Sequence, residues 1–223
     1  MPIASSHLPV RHFSYLYSMS IKHYFSKDED QRARFIFNLI APYYHWIDKG
    51  TQKDYRQMAA VLNERFPLQG KSVLDMGCGT GAWLKALSFY PVEKAVGLDM
   101  SSEMLKQAKV QNPDLDCLHQ EGSLTGFDDN SFDMVTATFV LHGMKADKRA
   151  ILLKEMKRIA RDKVIIHDFY GKTQAVAVVL EWLERSDFRN FKKHFPEEMA
   201  GVFPSSFVLP GVGGKALYVG EVK

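Results

Sequence analysis

The sequence lacks most of what would commit it to a metal, a membrane or a disulfide framework. It holds only two cysteines in 223 residues, Cys78 and Cys117. They are far apart and show no Cys-x-x-Cys or Cys/His ligand spacing, which argues against zinc and against a stapled secreted fold. A reducing, cytoplasmic compartment is expected. His7, His12 and His23 share no spacing with another strong ligand, so no metal is expected either. No stretch approaches the about 18 uncharged apolar residues a membrane span requires, Ala175 to Leu180 being the best candidate and far too short. Repeats and low-complexity tracts are missing. Net charge is scarce too: the formal value is +3. Arg11, Lys22 and Lys27, in a segment of residues 1–27 without any acid, supply all of it. That segment fits two readings, a targeting peptide or a helical cap whose aromatics cover a cleft or core. A nucleic-acid surface would need denser Lys/Arg clustering, so no nucleic-acid partner is expected.

What is present suits one enzyme-sized domain. Hydrophobic residues make up 46% and aromatics 12% of the chain, ample for a core. The first 66 residues read as a helical cap, with helices at Gln31–Ile40 and Gln52–Phe66 separated at Pro42. From residue 67 to 223 short apolar strands alternate with amphipathic helices, the signature of a parallel sheet with crossover helices. Strands are predicted at Ser72–Asp75, Ala95–Asp99, Asp116–Gln120, Asp133–Thr138 and Val164–Asp168. Helices are predicted near Gly81–Ser88, Ser101–Val110, Asp147–Ala160 and Thr173–Ser186, and short aromatic helices over Asp187–Gly201. Two final strands, Ser206–Leu209 and Ala216–Val222, are joined by a turn-rich link too short for anything but antiparallel pairing. The expected fold class is therefore α/β and Rossmann-like, a mostly parallel seven-stranded sheet ending in an antiparallel hairpin with helices on both faces.

The segment Val73-Leu74-Asp75-Met76-Gly77-Cys78-Gly79-Thr80-Gly81 carries the chemistry. It puts an acid at a strand end and three glycines in a turn that opens a helix, letting the backbone approach a ligand closely. The spacing is Gly-x-Gly-x-Gly, not the Gly-x-Gly-x-x-Gly of dinucleotide folds, which disfavours a nicotinamide oxidoreductase. Asp99 ends the next strand, where an acid can grip the two hydroxyls of a ribose. A cofactor with adenosine but no pyrophosphate explains both features.

On these residues the chain resembles the class I S-adenosylmethionine-dependent methyltransferases, in particular the small-molecule branch that includes the quinone-biosynthesis C-methyltransferases. Asp128-Asp129-Asn130-Ser131-Phe132-Asp133 is similar to the family's run before the fourth strand, and Ala41-Pro42-Tyr43-Tyr44-His45 to its Ala-Pro-x-Tyr-Asp, with His45 in place of the usual acid. The resemblance implies S-adenosyl-L-methionine as cofactor. It assigns Asp75 and the loop Gly77, Cys78, Gly79, Thr80 and Gly81 to the methionine portion, and Asp99 with Met100 to the ribose and one adenine face. Tyr44 would lie over the cofactor. Ser123 stands where members carry an acid that reads the adenine amino group, and Leu124 and Thr138 complete the expected contacts.

His142, at the family's Leu-His position after strand four, and His167 with Asp168 at the end of strand five are the catalytic candidates, Tyr170 beside them. Each also has a structural reading, as a strand-end or surface group. Trp182, Phe188, Phe191 and Phe195 form a substrate lid over about 172–202 or pack as core. The expected function is methyl transfer to a small-molecule acceptor. The alternatives are a non-catalytic S-adenosylmethionine-binding or regulatory protein, and a nucleic-acid or protein methyltransferase. Thr136-Ala137-Thr138-Phe139 departs from the Asn/Asp-Pro-Pro-aromatic run of nucleic-acid amino-methylating enzymes. The acceptor and the oligomeric state stay open.

Overall fold

The computed structural model describes residues 23–123, 125–173, 186–211 and 213–223, without the side chains of 45–49. Residues 1–22, Leu124, and the helix expected at Thr173–Ser186 with Trp182 therefore lie largely or wholly outside the described residues.

The chain enters through α1 (Glu29–Ile40). Asp28 caps it, its Oδ1 accepting from the backbone N–H groups of Asp30 at 2.9 Å and Gln31 at 3.3 Å. Glu29 and Asp30 add negative charge to the first turn, where the helix dipole favours it. Pro42 marks the break between the two helices, as the sequence predicts. A single 3-10 turn, Ala41–Tyr43, leads directly into α2 (Tyr44–Arg65), eight residues earlier than the periodicity predicts. Proline is tolerated there because the first turn of a helix has no hydrogen bond for its missing N–H to forfeit.

Alternation then begins: β1 (Ser72–Met76), α3 (Ala82–Leu87), β2 (Lys94–Asp99), α4 (Ser102–Gln111), β3 (Asp116–His119), β4 (Phe132–Thr138), α5 (Ala146–Ile159) and β5 (Ala160–Phe169). A single helix, α6 (Phe188–Val202), follows where short helices are expected. It keeps Pro196 inside because Phe188, Phe191, Phe195 and Met199 recur at helical spacing on one buried face. β6 (Ser205–Pro210) and β7 (Lys215–Glu221) complete a seven-stranded sheet of order β3-β2-β1-β4-β5-β7-β6. The first five strands in that order run parallel. β7 runs antiparallel to both β5 and β6, inserted between them.

Strand alternation divides the core into two layers. Leu74, Met76, Val164, Ile166 and Tyr218 face α5 and α6, whereas Val73, Met134, Ile165 and Leu217 face Tyr55, Met58 and Leu62 of α2 and Trp83 and Leu87 of α3. Thus α2 forms a layer of the core. Phe191 and Phe195 are fully buried, stacked on each other and edge-on to Tyr218, so they are core residues and no lid.

Arg149 fixes α6 to α5. Its side chain is 0% exposed, with Nε and Nη2 donating to the two Glu198 carboxylate oxygens at 2.6 Å each and Nη1 reaching Asp187 at 3.0 Å. Nη1 also donates to the Met144 carbonyl. Among the described residues no helix is long and apolar enough to cross a membrane.

Candidate functional site

In this strand order the chain leaves β1 toward β2 and β3 on one side and returns to β4 on the other, so the crevice at the carboxyl ends of β1 and β4 is a topological switch point. A cleft of about 380 Å³ opens there. Met76, Gly77 and Gly79 of the β1 turn line it, with Leu98, Asp99 and Met100 of β2 and its turn, Gln120 to Ser123 after β3, and Thr138 to Val140 after β4. A smaller hollow of about 40 Å³ adjoins it, sharing Tyr44, Gly77, Gly79 and Thr138 and adding Asp75, Cys78 and Thr80.

The glycine loop is built by close approach. A Cβ on Gly77 would stand 2.5 Å from Val140 Cγ2, so the turn presses directly on the segment after β4. Gly77 and Cys78 both donate their N–H groups to the Leu98 carbonyl at 2.8 Å. Gly79 is different: a Cβ there, at φ +54°, would meet nothing within 4 Å. Its missing side chain leaves open space that a ligand can use. Gly81 lines neither hollow and instead starts α3.

Asp75 is fully buried. Thr136 Oγ1 donates to its Oδ1 at 2.7 Å, while Oδ2 is buried without a hydrogen-bond partner. Removal from water pushes its carboxyl up to about 7, against the Thr136 bond, and the nearby Asp99 charge adds to the rise. A buried carboxylate oxygen left unpaired is costly, and a cationic donor in the hollow would satisfy it. Asp99 accepts from Ser101 N–H at 2.7 Å and Gly79 N–H at 2.8 Å. Burial still holds it above the ordinary carboxylate range. Each oxygen keeps a second lone pair, as two ribose hydroxyls require. Ser123 reaches the cleft on a loop that Glu155 ties down, its Oε1 accepting from Thr125 N–H and Oγ1 at 2.8 Å each. Thr138 Oγ1 is a second buried polar atom without a partner. These orphaned atoms and the open face of Gly79 fit an amino-acid and nucleoside ligand of the expected kind.

The catalytic candidates separate. His142, on a 3-10 turn at Leu141–Gly143, lines the cleft. Its Nδ1 lies 2.8 Å from Asp168 Oδ1, and its backbone N–H donates to Asp168 Oδ2 at 3.2 Å. Phe169 and Phe188 pack edge-on against the imidazole at 4.9 Å and 6.5 Å. His167 is not brought to the cleft. It points into the α2/α3 layer against Trp83 at 5.3 Å, Tyr55 at 5.9 Å and Phe139 at 5.0 Å, and neither ring nitrogen has a hydrogen-bond partner. Burial, with the Lys215 charge, pulls its pKa down to about 3. The alternation of β5 explains the split: Asp168 points to the opposite face, toward His142. Tyr170 is exposed and edge-on to Tyr218. It too lies away from the cleft.

Several lining residues escaped the motif reading. Phe139 sits at φ 53°, a left-handed backbone that an aromatic residue adopts only at a cost of about 1–3 kcal/mol. Its N–H donates to the His167 carbonyl at 2.9 Å, which holds it there. Ile36 and Phe37 of α1 cover the cleft, joined from the far wall by Met144, Ile151 and Leu152. Ion pairs pin α1 to both banks: Arg34 to Glu121 on one, Glu29 to Lys145 and Asp30 to Lys148 on the other, the last at 2.7 Å. Nothing local marks these pairs in the sequence, since their partners are remote in the chain.

Residues 73–163 match the family model described as a methyltransferase domain. A demethylmenaquinone methyltransferase of Renibacterium salmoninarum is 31% identical over 144 residues, which is 62% of this chain and 59% of that protein. The chain spans about half the length of the curated relatives it matches. Among solved structures, a putative O-methyltransferase of Nostoc punctiforme superposes with a TM-score of 0.68 at 18% identity, over 95% of this chain and 68% of that one. Magnesium protoporphyrin IX methyltransferase of Synechocystis, with bound SAH, gives 0.57 at 14% identity over 93% of this chain and 94% of that one. Residues 73–163 thus match a methyltransferase domain, and the chain resembles the class I S-adenosylmethionine-dependent methyltransferases in fold and the quinone-biosynthesis C-methyltransferases in sequence.

Proposed function

We propose that the protein transfers a methyl group from S-adenosylmethionine to a small, largely apolar acceptor bound between α1 and the turn that carries His142. The observation that carries the proposal is the pairing of two features on adjoining hollows. At one end Asp75 Oδ2 is buried and unpaired beside the open face of Gly79; at the other a histidine is braced by a buried aspartate.

S-adenosylmethionine would supply an electrophilic methyl group on a sulfonium. Asp75 and the Gly77–Gly79 turn would hold its amino-acid end, Asp99 its ribose hydroxyls, and Met100 and Ser123 its adenine. Tyr44 and Thr138 line both hollows and would lie along it. The remaining work falls to positioning, which can supply much of the barrier reduction in such a transfer. Ile36, Phe37, Met144 and Ile151 offer an apolar wall to the acceptor and exclude water. With Nδ1–H donating to Asp168, His142 holds its lone pair on Nε2, the form of a general base. The Asp168 carboxylate stabilises the imidazolium formed when His142 takes a proton from the acceptor. The demethylmenaquinone relatives and the apolar wall support an aromatic quinol as acceptor. The two free cysteines support a reducing, cytoplasmic setting.

Calorimetric titration with S-adenosylmethionine tests the cofactor half, with saturable binding expected and its loss in Asp99→Ala. Methyl transfer to a short-chain demethylmenaquinol tests the rest. Binding without transfer to any quinol, phenol or amine acceptor would favour a non-catalytic binding protein.

A further inference from the structure

We propose that Cys78 and Cys117 form an oxidative modification site, a thiol pair that a peroxide closes to a disulfide across the base of the glycine loop. The effect on cofactor binding rests on the function proposed above; the cross-link itself does not.

The two cysteines are 39 positions apart in the chain, yet Gly97 brings them together. Gly97 of β2 pairs in parallel register with Cys117 of β3. Side chains at paired positions of neighbouring strands project from the same face, with backbones about 4.8 Å apart. The side-chain position that Gly97 leaves empty is filled by Cys78, whose Sγ stands 2.6 Å and whose Cβ stands 2.8 Å from where a Gly97 Cβ would lie. Cys78 Sγ thus occupies the place next to Cys117 on the same face. Cys78 is buried beneath the loop, whereas Cys117 is half-buried and open to a small oxidant. The neighbouring thiol, followed by burial, pushes the Cys78 thiol up, and the same neighbour holds Cys117 below the ordinary thiol range. Cys117 is therefore the attacking sulfur and Cys78 the resolving one.

The reaction balances with one peroxide. The Cys117 thiolate attacks an oxygen of hydrogen peroxide, an S–O bond forms, the O–O bond breaks, and the departing hydroxide is protonated to water. Cys78 sulfur then attacks Cys117 sulfur, forming S–S and breaking S–O, and the released hydroxide takes the Cys78 proton as a second water. Two thiols are oxidised and the peroxide is reduced; a dithiol reverses the step by exchange. An S–S bond of about 2.0 Å is shorter than any contact between unbonded thiols, so closure draws Cys78 toward β3 by an ångström or more. Cys78 lies between Gly77 and Gly79, so the draw disturbs the Gly79 N–H bond to Asp99 and the open face beside it.

The test treats the purified full chain with hydrogen peroxide and reads three quantities: intact mass, reactive thiols, and calorimetric affinity for S-adenosylhomocysteine. The expected result is loss of the mass of two hydrogen atoms with both thiols gone, a Cys78–Cys117 cross-linked peptide, and at least ten-fold weaker binding restored by dithiothreitol. Cys117→Ser should bind like the reduced wild type and show no peroxide-dependent loss. Oxidation of Cys117 to sulfinic acid without a cross-link, or a cross-linked protein that binds as tightly as the reduced one, would overturn the proposal. If the reduced protein does not bind S-adenosylhomocysteine at all, the proposed function fails, and mass and thiol count still decide the cross-link.

Discussion

His142 and Asp168 meet twice: the imidazole Nδ1 lies 2.8 Å from one carboxylate oxygen, and the backbone N–H of the same histidine donates to the other at 3.2 Å. The carboxylate thereby sets both the ring's orientation and the turn that presents it. His142→Ala should lower kcat by about 10²–10³ with cofactor affinity unchanged, because a positioned general base contributes on that scale. Asp168→Asn should fall between this variant and the wild type. Single-turnover methyl transfer at saturating cofactor reads both, and full turnover in His142→Ala would remove the base from the mechanism.

Asp75 makes cofactor affinity depend on pH. Its folded pKa of about 7 lies above the unfolded value of 3.8. The folded state therefore binds the extra proton between those values, and stability is lost as pH rises through about 7. A cationic ligand needs the ionised form, so affinity for S-adenosylmethionine should rise about ten-fold per pH unit below 7 and then level off. Asp75→Asn should flatten that profile and weaken binding. The same variant should raise the Tm of the free protein at pH 8 and leave it unchanged at pH 4.

His167 predicts the opposite slope. Its pKa of about 3 in the fold, against 6.5 unfolded, means the unfolded chain takes up the proton between those values, and stability falls as pH drops below 6.5. The loss at pH 5 is about 2 kcal/mol on that basis. His167→Phe keeps an aromatic ring among Tyr55, Trp83 and Phe139 and removes the titration. Urea unfolding at pH 7 and pH 5 should show the gap between the two conditions shrink by about that amount, with methyl transfer retained.

Arg149 carries the attachment of α6. Arg149→Leu leaves Glu198, Asp187 and the Met144 carbonyl without their donor, a loss of about 3–5 kcal/mol for a broken buried pair. Thermal unfolding should show a Tm lower by about 10 °C. A Tm within about 2 °C of the wild type would mean that the aromatic face of α6 holds without the clamp.

The parallel strands and the glycine turn were legible because their signals are local. A short apolar run ending in Asp75 or Asp99 and followed by a helical period needs no tertiary information. The site's far wall was not legible in that way. His167 and Asp168 are equally polar neighbours, and which one meets the cleft depends on how β5 is rotated in the sheet. Arg149 did leave a trace, since it shares helical spacing with the buried Leu152, Leu153 and Met156 and so stands on the core stripe of α5. The ion pairs of α1 left none, because Glu121, Lys145 and Lys148 look like any solvated charge until the fold brings α1 across them. Pro42 marks a break that the fold keeps as a 3-10 turn, whereas Pro196 stays inside α6, whose buried aromatic face holds the helix together.

The insertion of β7 between β5 and β6 imposes an order on synthesis. While residues 160–169 emerge from the ribosome, one long edge of β5, with its row of unpaired backbone groups, has no neighbour. It gains one only when residues 215–221 have been made and can slide in antiparallel beside it. The glycine turn and the β1–β4 half of the crevice can assemble earlier. The Asp168 that braces His142 sits on the strand that waits, so a nascent chain would acquire its ligand cradle before its proton-handling pair is locked in place.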